Sequence, residues 1–131
     1  MPGELILIVE DNEKNMKLVR DVLQFRGYQT VGTGTAEEGI AAAIERHPQL
    51  ILMDYQLPGM DGITALGKLR EDPQTKAIPV IALTASAMST DQARFLAAGF
   101  DAYVTKPINV KEFLTIVRQV LDRPLGEGGT R

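Results

Sequence analysis

Three short runs of this chain are apolar at every position: Leu5–Val9, Leu50–Met53 and Val80–Leu83. A strand with one wet face alternates in polarity. A strand apolar on both faces has to be covered on both, which is the situation inside a parallel sheet. Two weaker strand patterns, Tyr28–Gly32 and Ala102–Val104, complete a set of five.

Helical patterns fill the gaps between these runs. Asn12–Phe25 repeats Met16, Val19, Val22 and Leu23 at helical spacing. Thr35–Arg46 opens with a capping box, Thr35 followed three residues later by Glu38, and then carries Ile40, Ala43 and Ile44 on one face. Gly62–Arg70 holds Ile63, Leu66 and Leu69. Ser86–Ala98 holds Met88, Phe95 and Leu96 and stops at Gly99. Val110–Leu121 sets Val110, Phe113, Leu114, Val117 and Leu121 on one face. The methionines read as core filler.

Five strands, each followed by a helix, predict an α/β fold: a single doubly wound five-stranded parallel sheet between two helical layers. The expected strand order is 2-1-3-4-5, the flavodoxin-like arrangement. Residues 1–122 are expected to form one domain and residues 123–131, rich in glycine, a flexible tail. The absence of cysteine and the presence of one histidine exclude disulfides, thiolate chemistry and His- or Cys-based metal clusters. A net charge of −3 argues against a nucleic-acid partner. No apolar run reaches the roughly 20 residues needed to span a bilayer, and no signal peptide is visible, so the expected location is the cytoplasm.

In such a sheet, ligands bind beyond the carboxyl ends of the strands, where the strand order reverses. The residues there are Glu10 and Asp11 after the first strand and Asp54 after the third. Thr84 follows the fourth, and Lys106 with Pro107 follows the fifth. Two carboxylates ~4 Å apart repel by about 4 kcal/mol at an effective dielectric of 20, so three want a cation. Hard oxygen ligands suit Mg2+, and a divalent ion beside carboxylates and phosphate oxygens is a phosphoryl-transfer arrangement. Asp54 can then act as nucleophile and Lys106 as a neutralising cation. Thr84 can be a hydrogen-bond donor, and the backbone N–H groups after Asp54 can supply more. Glu10 and Asp11 could instead cap the first helix, but Asn12 does that equally well. His47, before Pro48, is assigned to the surface with no role.

Val9-Glu10-Asp11-Asn12, the stretch Leu50–Gly62 around Asp54, Leu83-Thr84-Ala85 and Lys106-Pro107 together resemble the signature of response-regulator receiver domains. The likeness runs from about Leu5 to Leu121 and is greatest to single-domain DivK-like regulators and to the receivers of hybrid histidine kinases. It implies a CheY-like fold and a two-component switch phosphorylated on Asp54 by a histidine kinase or a histidine phosphotransfer protein. It further implies Mg2+ (with Mn2+ or Ca2+ able to substitute) on Asp11, Asp54 and the backbone carbonyl of Gln56, with Glu10 holding a metal-bound water. Thr84 and Lys106 would bind the phosphoryl group, the Lys106–Pro107 peptide would be cis, and Tyr103 would move inward when Thr84 engages the phosphate.

Gln56 and Ser86 would border the path of the hydrolysing water. The output would be a downstream effector protein, with a homodimer possible. Such a chain catalyses only its own phosphorylation and dephosphorylation and is not an enzyme in the turnover sense. The competing reading is a phosphorylation-independent docking or dimerisation module, which would have no use for a costly acidic pocket. A flavodoxin is disfavoured because Glu10 and Asp11 stand where a phosphate would sit. An aspartate-based phosphatase is disfavoured by Gln56, where that chemistry wants an acid.

Overall fold

The structure is a computed structural model and describes residues 3–57, 59–85 and 88–123. Its elements are β1 (Leu5–Val9), α1 (Glu13–Phe25), β2 (Gln29–Thr33), α2 (Ala36–Arg46), β3 (Leu50–Asp54), β4 (Gln56–Leu57) and β5 (Met60–Asp61). Then follow α3 (Gly62–Glu71), β6 (Val80–Thr84), α4 (Ser89–Ala98), β7 (Ala102–Thr105) and α5 (Val110–Leu121). Five strands form one parallel sheet in the order β2-β1-β3-β6-β7, which is 2-1-3-4-5 once the small β4–β5 pair is set aside.

The fully apolar runs occupy the strands at the middle of this sheet, and their alternation divides two cores. Leu7, Val9, Ile51, Met53, Val80 and Ala82 face α2, α3 and α4. Ile6, Ile8, Leu50, Leu52, Ile81 and Leu83 face α1 and α5. Each of these side chains is thus covered, as the sequence required.

The helix starts follow local chemistry. Asn12, Thr35, Asp61 and Asn109 each accept a backbone N–H three residues on. In the Thr35 box the partner Glu38 bonds the N–H of Gly34 at 3.3 Å rather than that of Thr35. α2 ends on His47 in a left-handed conformation, φ 50°, and His47 is exposed.

Gly39 lets α2 lie close to the sheet beneath the end of β1. A Cβ there would stand 2.6 Å from Cγ2 of Val9, a stiff β-branched side chain. Alanine ordinarily improves a helix by about 1 kcal/mol over glycine, but overpacking costs about 1–3 kcal/mol. Gly39→Ala is therefore expected to destabilise the protein by up to about 2 kcal/mol, read as a lower urea midpoint; a gain in stability would refute the close-packing argument.

Several sequence expectations need correction. The pair β4–β5 was not anticipated, because its two-residue strands are too short to carry a period. Asp54 and Thr84 are the last residues of their strands rather than the first beyond them. α4 begins at Ser89, with Met88 as its cap position; Ser86, where it was expected to begin, lies outside the described residues. Met88 is 65% exposed and so is not core filler, and Leu96 and Val110 are exposed as well. Of the expected flexible tail only Arg123 is among the described residues.

Two polar clasps hold the sheet's other end, away from the carboxyl termini of the strands. Asp101, just before β7, accepts the N–H of Val80 at 2.9 Å and Arg70 Nη2 at 3.2 Å through one oxygen, with Arg123 at 3.6 Å from the other. Arg118 of α5 donates to Glu4 Oε2 at 2.9 Å, Tyr28 Oη at 3.1 Å and Asp122 Oδ1 at 2.8 Å. Burial works to raise the Glu4 carboxyl, but Arg118 outweighs it and holds Glu4 below its ordinary value.

Candidate functional site

The carboxyl ends of β1, β3, β6 and β7 converge at one edge of the sheet, because parallel strands all finish on the same side. Glu10 follows β1 and is buried, and Asp11, next to it, is exposed. Asp54 ends β3 and Thr84 ends β6, both buried. Lys106 follows β7, and its peptide bond to Pro107 is cis.

Glu10, Asp11 and Asp54 each offer an oxygen within 4.8 Å of the others. Lys106 Nζ stands among them, 3.0 Å from Glu10 Oε1 and 3.1 Å from Asp54 Oδ2. The second oxygens of Glu10 and Asp54 are also engaged. Glu10 Oε2 accepts the N–H of Asn12, and Asp54 Oδ1 accepts the N–H of Gln56, both at 3.1 Å. Lys106 N–H donates to the Thr84 carbonyl at 2.8 Å, which ties the lysine to the end of β6.

Electrostatics follow from this crowding. Burial pushes the Glu10 carboxyl up, and Asp54 adds to the rise, against the opposing pull of Lys106 and the Asn12 N–H. Burial would lower the Lys106 ammonium, but its contacts with Glu10 and Asp54 outweigh that and hold it above its ordinary value. One ammonium against three carboxylates leaves the cluster acidic. Its donors are all hard oxygens, and an all-oxygen set fits Mg2+, Ca2+ or Mn2+ rather than a softer ion such as Zn2+ or Cu+.

Tyr103 lies apart from this cluster. It is half-buried within β7, and its hydroxyl donates to Gln92 Oε1 of α4 at 3.0 Å. Two further neighbours of the site, Arg94 and the ring of Tyr55, carry no local sequence pattern that marks them as such. Arg94 is on a weakly amphipathic helix, and its contact is with a residue 39 positions back (94 minus 55).

Comparison with known proteins bears on this arrangement. The sequence model of the response regulator receiver domain matches residues 6–118. The chain is 45% identical over 116 residues to the polar-differentiation response regulator DivK of Brucella ovis, covering 88% of this chain and 94% of that protein. The receiver domain of a Pseudomonas aeruginosa sensor histidine kinase, solved with a magnesium ion coordinated in its active-site cleft, is 31% identical. It superposes with a TM-score of 0.85 over 92% of this chain and 99% of that one. A CheY-like response regulator receiver domain protein from Methanospirillum hungatei, 32% identical, gives 0.82 over 92% and 94%.

Proposed function

This chain belongs to the response regulator receiver domain family, and from that premise we propose that it is a phosphorylation switch whose phosphoacceptor is Asp54. The observation that carries the reading is Lys106 Nζ, 3.1 Å from Asp54 and 3.0 Å from Glu10, inside the three-acid cluster. A scaffold gains nothing from gathering buried like charges, whereas phosphoryl transfer needs a nucleophile, cations and placed donors.

The donor is a phosphohistidine of a histidine kinase or a histidine phosphotransfer protein. An Asp54 oxygen attacks phosphorus, the P–O bond forms as the P–N bond breaks, and the electron pair leaves on the imidazole nitrogen. Mg2+, when bound, spreads the charge of the transferring group. Asp11, Asp54 and the Gln56 carbonyl would hold it, with Glu10 serving it through a water, and Mn2+ or Ca2+ would substitute. Lys106 turns from the Asp54 carboxylate to a phosphoryl oxygen, and the Thr84 hydroxyl donates to another. Tyr103 then exchanges its bond to Gln92 for the space Thr84 vacates, which alters the face of α4, β7 and α5 that a downstream effector reads. The domain spans residues 1–122, acts in the cytoplasm, turns over no substrate beyond its own aspartyl phosphate, and can pair with a second copy.

The test is intact mass after incubation with acetyl phosphate, with Mg2+ or with EDTA, for the native chain and Asp54→Asn. One phosphoryl adduct is expected, lost with EDTA and lost with Asp54→Asn. A folded protein that takes no adduct under any condition would favour the docking or dimerisation module instead.

A further inference from the structure

Tyr55 follows the phosphoacceptor directly, and its backbone is pinned on both sides. Its N–H donates to the Leu83 carbonyl at 2.8 Å, and its own carbonyl accepts the N–H of Gly62 at 2.7 Å. A Cβ on Gly62 would stand only 3.0 Å from Tyr55 Cα, so the glycine permits this approach. The ring packs on Phe95 of α4 with centroids 4.7 Å apart. Arg94, the preceding residue of α4, lays its guanidinium over the same ring, 5.9 Å from the centroid.

Tyr55 and Arg94 form one side of an open pocket of about 480 Å3. Thr84 and Gln56 form another part of its wall, and the Gln56 N–H is already bonded to Asp54 Oδ1. The Arg94 side chain is 59% exposed, and its ion pair with Asp91 is long, 3.9 Å. Its charge is therefore held by these two weak contacts and a longer-range attraction to Asp61, and is available to a stronger anion. Lys106, by contrast, starts from two short ion pairs, with Glu10 and Asp54.

A phosphoryl group on Asp54 adds a charge of about −1.5 to −2 and three strong acceptor oxygens beside this pocket. Bonds from guanidinium to phosphate are charge-assisted and outrank an exposed contact with an aromatic face. We infer that Arg94 anchors the phosphorylated state, exchanging the Tyr55 ring for a phosphoryl oxygen of Asp54 across this pocket. This rests on Asp54 being the phosphoacceptor. The bond shields the acyl phosphate from water on the α4 side and prolongs its life. It also gives α4 a link to the site through its own side chain, separate from Thr84 and Tyr103. Arg94 touches the phosphoryl group itself, and Tyr55 is the positioning residue: its ring keeps the guanidinium near the place where the anion forms.

The experiment labels Asp54 with acetyl phosphate and Mg2+, removes the donor, and follows the adduct by intact mass. It compares the native chain, Arg94→Ala and Arg94→Lys, with thermal midpoints measured alongside. All three are expected to take one adduct and to melt alike. The half-life is expected to fall by about threefold in Arg94→Ala, with a part recovered in Arg94→Lys and the difference shrinking at high salt. A native half-life in Arg94→Ala, with Asp54 fully labelled, overturns the inference and leaves the phosphoacceptor reading standing. An equal fall in Arg94→Lys and Arg94→Ala, insensitive to salt, overturns it too, since a lost charge is then not the cause. No adduct on the native chain overturns the phosphoacceptor reading and this inference with it.

Discussion

Lys106→Ala is expected to slow phosphoryl uptake from acetyl phosphate by about 100-fold or more, the usual loss when one preorganised charge is removed from a transition state. Metal affinity is expected to move the other way. Without the ammonium 3.0 Å from Glu10 and 3.1 Å from Asp54, three carboxylates face one another with no cation between them. A divalent ion then relieves more repulsion than it does in the native chain. Titration calorimetry should show Mg2+ binding tightened several-fold, while stopped-flow or quenched labelling shows slower transfer. The opposed signs are the point of the experiment. Weaker metal binding together with slower transfer would mean that Lys106 serves mainly to hold the site's shape.

Asp101→Ala carries the largest expected effect on stability. Its carboxylate, 12% exposed, satisfies the N–H of Val80 and faces both Arg70 and Arg123. Truncation leaves a backbone donor without that acceptor and two guanidinium groups without their anion. Hydrogen bonds to charged groups are worth about 1.5–3 kcal/mol each, so a loss of about 2–4 kcal/mol is expected in urea unfolding, with m unchanged. Asp101→Asn keeps an acceptor for Val80 and should lose about half as much. Asp101 stands at the opposite end of β7 from Lys106, so folded Asp101→Ala should still take its phosphoryl group. A loss under about 1 kcal/mol would mean that packing alone holds the start of β6.

What the sequence made legible follows from the range of the interactions involved. Three of the five long strands are visible because Leu5–Val9, Leu50–Met53 and Val80–Leu83 have no polar position, and that alone requires two covering layers. The acids, Thr84 and Lys106 are visible because each ends or closely follows a strand, and strand termini converge by topology. The bridging position of Lys106 between Glu10 and Asp54 is not, since no local pattern records a contact spanning 52 residues. The same holds for Asp101 with Arg70 and for Arg94 with Tyr55. α4 was the least well read because its burial rests on Phe95 alone among its large apolar residues, and one position sets no period.

The clasp of Arg118 on Glu4 joins residues 114 positions apart. Glu4 stands immediately before β1, the strand on which both β2 and β3 are paired. The last helix and the first strand thus share one fastening, and α5 cannot peel away without loosening the strand around which the sheet is ordered. Partial opening at that edge is therefore penalised out of proportion to the few atoms involved. The domain should lose its structure as one cooperative unit rather than fray from its final helix inward.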